Sequence, residues 1–159
     1  MFVLARTITY ATLFIAFVLL YLPARVLSWA GVGAPPSVGA AQVVALVVGT
    51  AGGAFALWCV FTFAFVGRGT PAPFDPPRRL VVRGPYRYLR NPMYLGAAVA
   101  LGAAALFYRS LALLAFTAGF LLVTHLFVTI YEEPTLRRMF GADYDAYCRE
   151  TKRWRPQVR

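Results

Sequence analysis

Acidic residues are scarce in this chain. Its 159 residues hold six Asp and Glu against 16 Lys and Arg, for a net charge of +10. With one histidine and two cysteines that show no metal-ligand spacing, a zinc site is not expected, and no metal is expected. Cys59 lies inside an apolar run and Cys148 in a basic tail, with no CxxC spacing, so a structural disulfide is not expected either. Charge of either sign is thin, at 14%, while 60% of residues are hydrophobic. Soluble domains run nearer a quarter charged and half apolar, which excludes an ordinary soluble domain and makes the bilayer the expected solvent. The basic excess does not point to nucleic acid, because the arginines alternate with apolar blocks instead of forming one solvated face. They read as markers of the cytoplasmic ends of membrane helices.

Four apolar blocks are present, at residues 8–22, 40–66, 93–108 and 111–131. About 20 helical residues cross a hydrocarbon core of roughly 30 Å. The second and fourth blocks reach that length, the first does so if it extends toward Leu27, and the third is short. With Arg6 at its charged end, the first block also has the outline of a signal peptide. No A-x-A site follows, and Pro23 and Trp29 stand where small residues should dominate, so a span is expected. The fold class is therefore all-α, a polytopic integral membrane protein of about four transmembrane helices. The loop after the second block carries Arg68, Arg78, Arg79, Arg83, Arg87 and Arg90. The tail carries Arg137, Arg138, Arg149, Lys152, Arg153, Arg155 and Arg159. Both are expected in the cytoplasm, as is the N-terminus, with the protein in a bacterial inner membrane. The third and fourth blocks then form a hairpin that turns at Tyr108, Arg109 and Ser110 on the far side. Residues 1–66 read as an N-terminal helical hairpin, and residues 67–159 as a second region of loop, hairpin and tail. In the second block Gly49 and Gly53, at i and i+4, suit close helix packing in lipid. The stretch "GRGTPAPFDPP" at 67–77 is too rich in proline and glycine for helix.

The polar chemistry gathers in "RGPYRYLRNPMYLG", residues 83–96. Asn91 and Pro92 form a helix start, Asn as cap and Pro at the first helical position, so free backbone N–H groups open beside arginines. Such a terminus attracts carboxylate or phosphate. A purely structural account also exists, since tyrosines and arginines anchor many spans at the interface. In the fourth block His125, Thr129 and Glu132 share one helical face, with Glu133 beside them, and Pro134 is expected to interrupt the helix there. The hairpin topology brings the proline-rich loop, the "RNPMY" cap, the glutamates and the aromatic tail to one end. A cationic, tyrosine-lined pocket with a few carboxylates, half in lipid, suits a zwitterionic cofactor and a lipid-tailed substrate.

"RGPYRYLRNPMYLG" followed by "EEPTLRRMFGADYDAYCRETKRWRP" resembles the isoprenylcysteine carboxyl methyltransferase family. The likeness is closest to its small bacterial members, which share their architecture with phospholipid N-methyltransferases. The resemblance covers residues 69–156. It implies S-adenosylmethionine as cofactor, bound in a cytoplasmic pocket formed by the C-terminal half, and a lipophilic acceptor that enters sideways from the bilayer. It places Arg78, Arg79, Leu80 and Val81 along the cofactor, with Tyr86, Asn91, Pro92, Met93 and Tyr94 as further cofactor contacts. Glu132 falls on the acceptor side, and Arg138 is the arginine to pair with it near the reacting centre. Two positions depart from the family: Asn91 stands where the best-known members have His, and Val128 where eukaryotic members have an acceptor-side arginine. The acceptor is accordingly either an isoprenylcysteine-like carboxylate or a phospholipid amine headgroup. Two other readings remain at this stage. One is an NADPH-dependent membrane reductase related to sterol reductases, which carries a similar arginine-rich region. The other is a non-enzymatic scaffold whose arginines bind anionic lipid.

Overall fold

The computed structural model describes residues 2–67 and 77–156. Most of the proline- and glycine-rich loop expected over 67–77 lies outside the described residues, as does Arg159. Among the described residues all regular structure is helical. Helix α1 (Phe2–Phe14) continues through a π-helical stretch, Ile15–Tyr21, into α2 (Leu22–Trp29). Pro23 stands directly after the π-helical stretch, at the start of α2, and the helix continues through it. Helix α3 (Ala40–Thr62) is prolonged by a π-helical turn, Phe63–Gly67. A short 3-10 turn, Gly84–Arg87, precedes α4 (Pro92–Tyr108) and α5 (Leu111–Phe127). A further π-helical turn, Val128–Glu132, joins α5 to α6 (Glu133–Glu150).

The helical stretches Ala5–Trp29, Ala40–Gly67 and Leu111–Glu150 are each long and apolar enough to cross a membrane, while Pro92–Tyr108 is a shorter apolar helix. Their outward side chains, among them Leu20, Val47, Trp58, Leu122 and Val123, are exposed and apolar. Such a surface is at rest only in lipid and marks the chain as a membrane protein.

The tightest helix contact is between α3 and α4, where Gly52 and Gly96 let the two backbones touch. A Cβ on Gly96 would lie 2.9 Å from the Gly52 carbonyl oxygen and 3.0 Å from the Ala56 nitrogen. Lipid supplies no hydrophobic force between helices, so backbone approach of this kind does the holding. The expected pair, Gly49 and Gly53, is only half involved. Gly49 faces Ala103, with 3.2 Å between their β-carbon positions, whereas a Cβ on Gly53 would meet nothing within 4 Å. The helical repeat explains the difference: Gly49, Gly52 and Ala56 share one face, and Gly53 is turned one residue away from it.

The hairpin turn falls at Arg109 and Ser110, as the sequence predicts. Arg109 adopts a left-handed conformation (φ 50°, ψ 42°), and its N–H closes the end of α4 on Ala105 and Leu106. The Ser110 hydroxyl caps α5 by accepting the Leu113 N–H at 3.3 Å. At the same end Gln42 of α3 donates to the Phe107 carbonyl at 3.5 Å.

Two local expectations are corrected. Pro134 does not interrupt the helix, which runs on into α6. The π-helical turn just before it absorbs the missing donor: the Glu133 N–H reaches back five residues to the Val128 carbonyl, so the ladder has already changed register when proline arrives. The break in α6 comes instead at Gly141 (φ 51°, ψ −124°). Asn91 does occupy the cap position of α4, but its side chain makes no capping hydrogen bond. Its amide is turned away to another partner, described below.

Candidate functional site

The segment leading into α4 is folded under the end of α3. The backbone N–H groups of Arg78 and Arg79 donate to the Gly67 carbonyl at 2.9 and 3.2 Å. Gly67 must be glycine for this approach, since a Cβ there would lie 2.9 Å from the Val81 side chain. Val81, Tyr86 and Cys59 form a buried apolar cluster, with Phe63 and Met93 packed against it. Gly84, at φ +58°, provides the turn that brings Tyr86 inward, and its backbone lies against Thr62.

The bend at Gly141 carries the second half of α6 back to this segment. The Tyr147 hydroxyl donates to the Tyr86 carbonyl at 2.6 Å. Beyond α6 the chain forms a strap across the start of α4. The Arg90 N–H donates to the Lys152 carbonyl at 3.0 Å. The Asn91 side-chain amide donates to the Arg153 carbonyl at 3.4 Å. The Trp154 indole donates to His125 Nδ1 at 3.1 Å. With Nδ1 accepting, the neutral imidazole of His125 carries its proton on Nε2.

The two adjacent glutamates have separate partners. Glu133 is gripped by Arg153, whose Nε and Nη2 donate to its two oxygens at 2.6 and 2.9 Å. Arg90 Nη1 stands 3.3 Å from the same carboxylate. Two arginines thus neutralise the Glu133 carboxylate. Arg90 Nη1 also donates to Cys148 Sγ at 2.7 Å. Its Nε, by contrast, is buried with no hydrogen-bond partner. Glu132 takes a different neighbour: the Tyr94 hydroxyl donates to its Oε2 at 3.3 Å.

Tyr94 also lines an apolar cavity of about 580 Å³ between the N-terminal helix, α3, α4 and α5. Met93, Ala97, Gly53, Phe14 and Phe127 are among its walls. Thr124 lies there too, but its hydroxyl is satisfied by the Phe120 carbonyl at 2.8 Å, so it makes no polar demand on an occupant. Its volume lies within the range of ordinary ligand sites.

Of the residues singled out from sequence, Val81, Tyr86, Asn91, Pro92, Met93 and Tyr94 sit together beneath α3 and at the start of α4, Leu80 is half-buried, and Arg78 and Arg79 point outward. Glu132 joins this group through Tyr94. Arg138 is exposed and donates to Thr135 at 3.3 Å, so the hydrogen bond Glu132 receives comes from Tyr94. The "RNPMY" cap, the glutamates and the tail converge at one end, as the topology requires. Sequence reading missed the Arg90–Glu133–Arg153 cluster, the Trp154–His125 bond and the contribution of the N-terminal helix to the cavity. The indole in "KRWRP" was the available signal for the second, since a buried tryptophan N–H needs an acceptor.

A family model described as phospholipid methyltransferase matches residues 40–143 of the chain. No curated protein and no solved structure matches it.

Proposed function

The chain belongs to the phospholipid methyltransferase family, and on that premise we propose that it methylates the amine headgroup of a membrane lipid with S-adenosylmethionine as donor. The observation that carries this reading is the Tyr94–Glu132 pair at the edge of the apolar cavity. A lipid chain in that cavity places its headgroup beside a carboxylate that forms no ion pair among the described residues.

The residues at the α4 start suit a zwitterionic donor. Arg90 keeps one buried N–H without a partner, and the first-turn amides of α4 receive no hydrogen bond from the Asn91 side chain. Both favour an anionic group such as an amino-acid carboxylate. Tyr86, Asn91, Met93 and Tyr94 would complete the pocket. When bound, the donor supplies a methyl group already activated on a sulfonium, which leaves as a neutral thioether once the acceptor lone pair takes the methyl. What remains for the protein is to orient the acceptor, exclude water and take a proton. Glu132 attracts the ammonium form of the amine and accepts its proton, while the Tyr94 hydroxyl fixes the carboxylate. The strap over the α4 start keeps water out.

An isoprenylcysteine carboxylate fits less well. It would face the Glu132 carboxylate, which among the described residues forms no ion pair, while Arg153 grips Glu133, Arg138 rests on Thr135, and Val128 is apolar. A reductase or a lipid-binding scaffold draws no support from the family. In this reading α4 is a fourth, short span, and both termini face the cytoplasm with the arginines.

The test is methyl transfer and donor binding by the detergent-purified protein. Stabilisation by S-adenosylhomocysteine and not by NADPH, with label passing from S-adenosylmethionine to phosphatidylethanolamine in preference to a prenylcysteine, is expected. Preference for the prenylcysteine would overturn the amine assignment, and stabilisation by NADPH alone would overturn the methyl transfer.

A further inference from the structure

Three sides of the apolar cavity come from α3, α4 and α5, within the part of the chain that the family model matches. The fourth does not. Tyr10, Leu13, Phe14, Ile15 and Leu19 all precede residue 40 and belong to α1 and the π-helical stretch that follows it. The change from α to π geometry falls between Phe14 and Ile15, and both line the cavity. π-helical turns inside α-helices recur at functional sites because they re-aim side chains that an unbroken helix would place elsewhere.

We infer that α1 and its π-helical continuation act as a gauge that selects the acceptor by the length and bulk of its hydrocarbon chain. The inference rests on the proposed methylation of a lipid amine and names what that site selects. The occupant is one apolar chain, whose headgroup end lies at Tyr94, the residue that both lines the cavity and holds Glu132. At about 30 Å³ per water-sized group, the volume accommodates on the order of 20 groups, and a methylene is of similar size. A chain leaving the bilayer for this cavity exchanges one apolar surrounding for another, so little affinity comes from hydrophobic transfer. Selection therefore works by fit. A chain that matches the cavity sets its headgroup at Glu132, and one too long or too bulky for the fourth wall does not.

Gly53 offers a clean test. It lines the cavity, and a Cβ on it would meet nothing within 4 Å, so Gly53→Leu starts its side chain in open space on the cavity wall. Phe14→Ala enlarges the cavity from the opposite wall. Gly102→Leu is the control: it adds the same side chain to α4 at a position with open space and away from the cavity lining. The probes are N-alkyl ethanolamines of increasing chain length, added to protein in lipid nanodiscs, with thermal stabilisation and methyl transfer as separate readouts. Gly53→Leu is expected to weaken the response to the longest members on the order of tenfold, the effect of overfilling a packed apolar site. Short members are expected to be weakened less than long ones, and stabilisation by S-adenosylhomocysteine is expected to persist. Phe14→Ala is expected to shift the optimum toward longer or bulkier chains, and Gly102→Leu to follow wild type. A chain-length profile that Gly53→Leu leaves unaltered, or lowers evenly across the series, would overturn the gauge. Chain-length-dependent stabilisation without methyl transfer would retain the gauge and remove the methylation of amines.

Discussion

Tyr94, in the first turn of α4, donates its hydroxyl hydrogen bond at 3.3 Å to Glu132, at the end of the π-helical turn after α5. The π-helical register is what brings Glu132 to this position, and the neighbouring Glu133 to the arginines instead. Two carboxylates adjacent in sequence thereby serve separate tasks, one neutralised and structural, the other held by a phenol.

Tyr94→Phe isolates that phenol. The ring still lines the cavity, and only the hydroxyl is lost. A hydrogen bond to a charged group contributes about 1.5–3 kcal/mol, so a fall in turnover of roughly tenfold or more is expected. S-adenosylhomocysteine stabilisation should persist, and Glu132→Gln should lose turnover in the same way. Unchanged turnover in either variant, with the fold intact, removes Glu132 from the reaction. Steady-state kinetics on both variants, beside their melting curves, decide the matter.

Glu133 predicts a pH dependence of stability. Its carboxylate is held by Arg153 at 2.6 and 2.9 Å and lies 3.3 Å from Arg90, contacts that only the ionised form makes in full, so it binds fewer protons folded than unfolded. The stabilisation is present above the unfolded pKa and is lost as pH falls through the folded one. Glu133→Gln should therefore melt lower than wild type at neutral pH, by about 2 kcal/mol, since it leaves two half-buried arginines without their anion. The gap should close as the wild type is acidified below about pH 4.5. Melting temperatures of both proteins across pH 3–8 test this, and a gap that persists at the acid end contradicts it.

The number of apolar blocks and the hairpin turn at Arg109 were legible because hydropathy and helix length are one-dimensional properties. So was the convergence of "RNPMY", the glutamates and the tail, which follows from topology alone. The register of the glutamates was not legible. Whether residue 132 or 133 faces the arginines depends on the π-helical turn, and an ordinary helical repeat cannot anticipate it. The choice of Gly52 over Gly53 depends similarly on which face α4 presents. The fourth wall of the cavity was hidden for another reason: no motif marks Phe14 or Leu19, which are apolar residues in an apolar helix.

The α3–α4 contact predicts a contrast between glycines on one helix. In Gly96→Ala the new methyl would press on backbone atoms at 2.9 and 3.0 Å, which cannot rotate away. Overpacking of this kind costs about 1–3 kcal/mol. In Gly102→Ala the methyl enters open space, and the better helix propensity adds up to about 1 kcal/mol. The first should melt below wild type and the second at or above it. Equal melting temperatures would mean that the two backbones do not approach as closely as described.

The strap makes the last prediction. It is held to the α4 start by the Arg90–Lys152 and Asn91–Arg153 hydrogen bonds, and to α5 by the Trp154–His125 bond. Trp154→Phe keeps an aromatic side chain but removes the donor together with part of the indole's apolar surface, leaving His125 Nδ1 without its partner. A neutral hydrogen bond contributes about 1 kcal/mol, so a modest loss of stability is expected. If the strap also covers the methyl donor, S-adenosylhomocysteine should bind about fivefold more weakly, because part of that energy holds the closed arrangement. Truncation after Glu150 removes all three ties, together with the Arg153–Glu133 pair, and should weaken the donor further. Titration calorimetry on wild type, Trp154→Phe and the truncated chain distinguishes the two roles. A lower melting temperature with unchanged donor affinity would make the strap purely structural. Graded loss of affinity across the three proteins would make it the cover of the donor pocket.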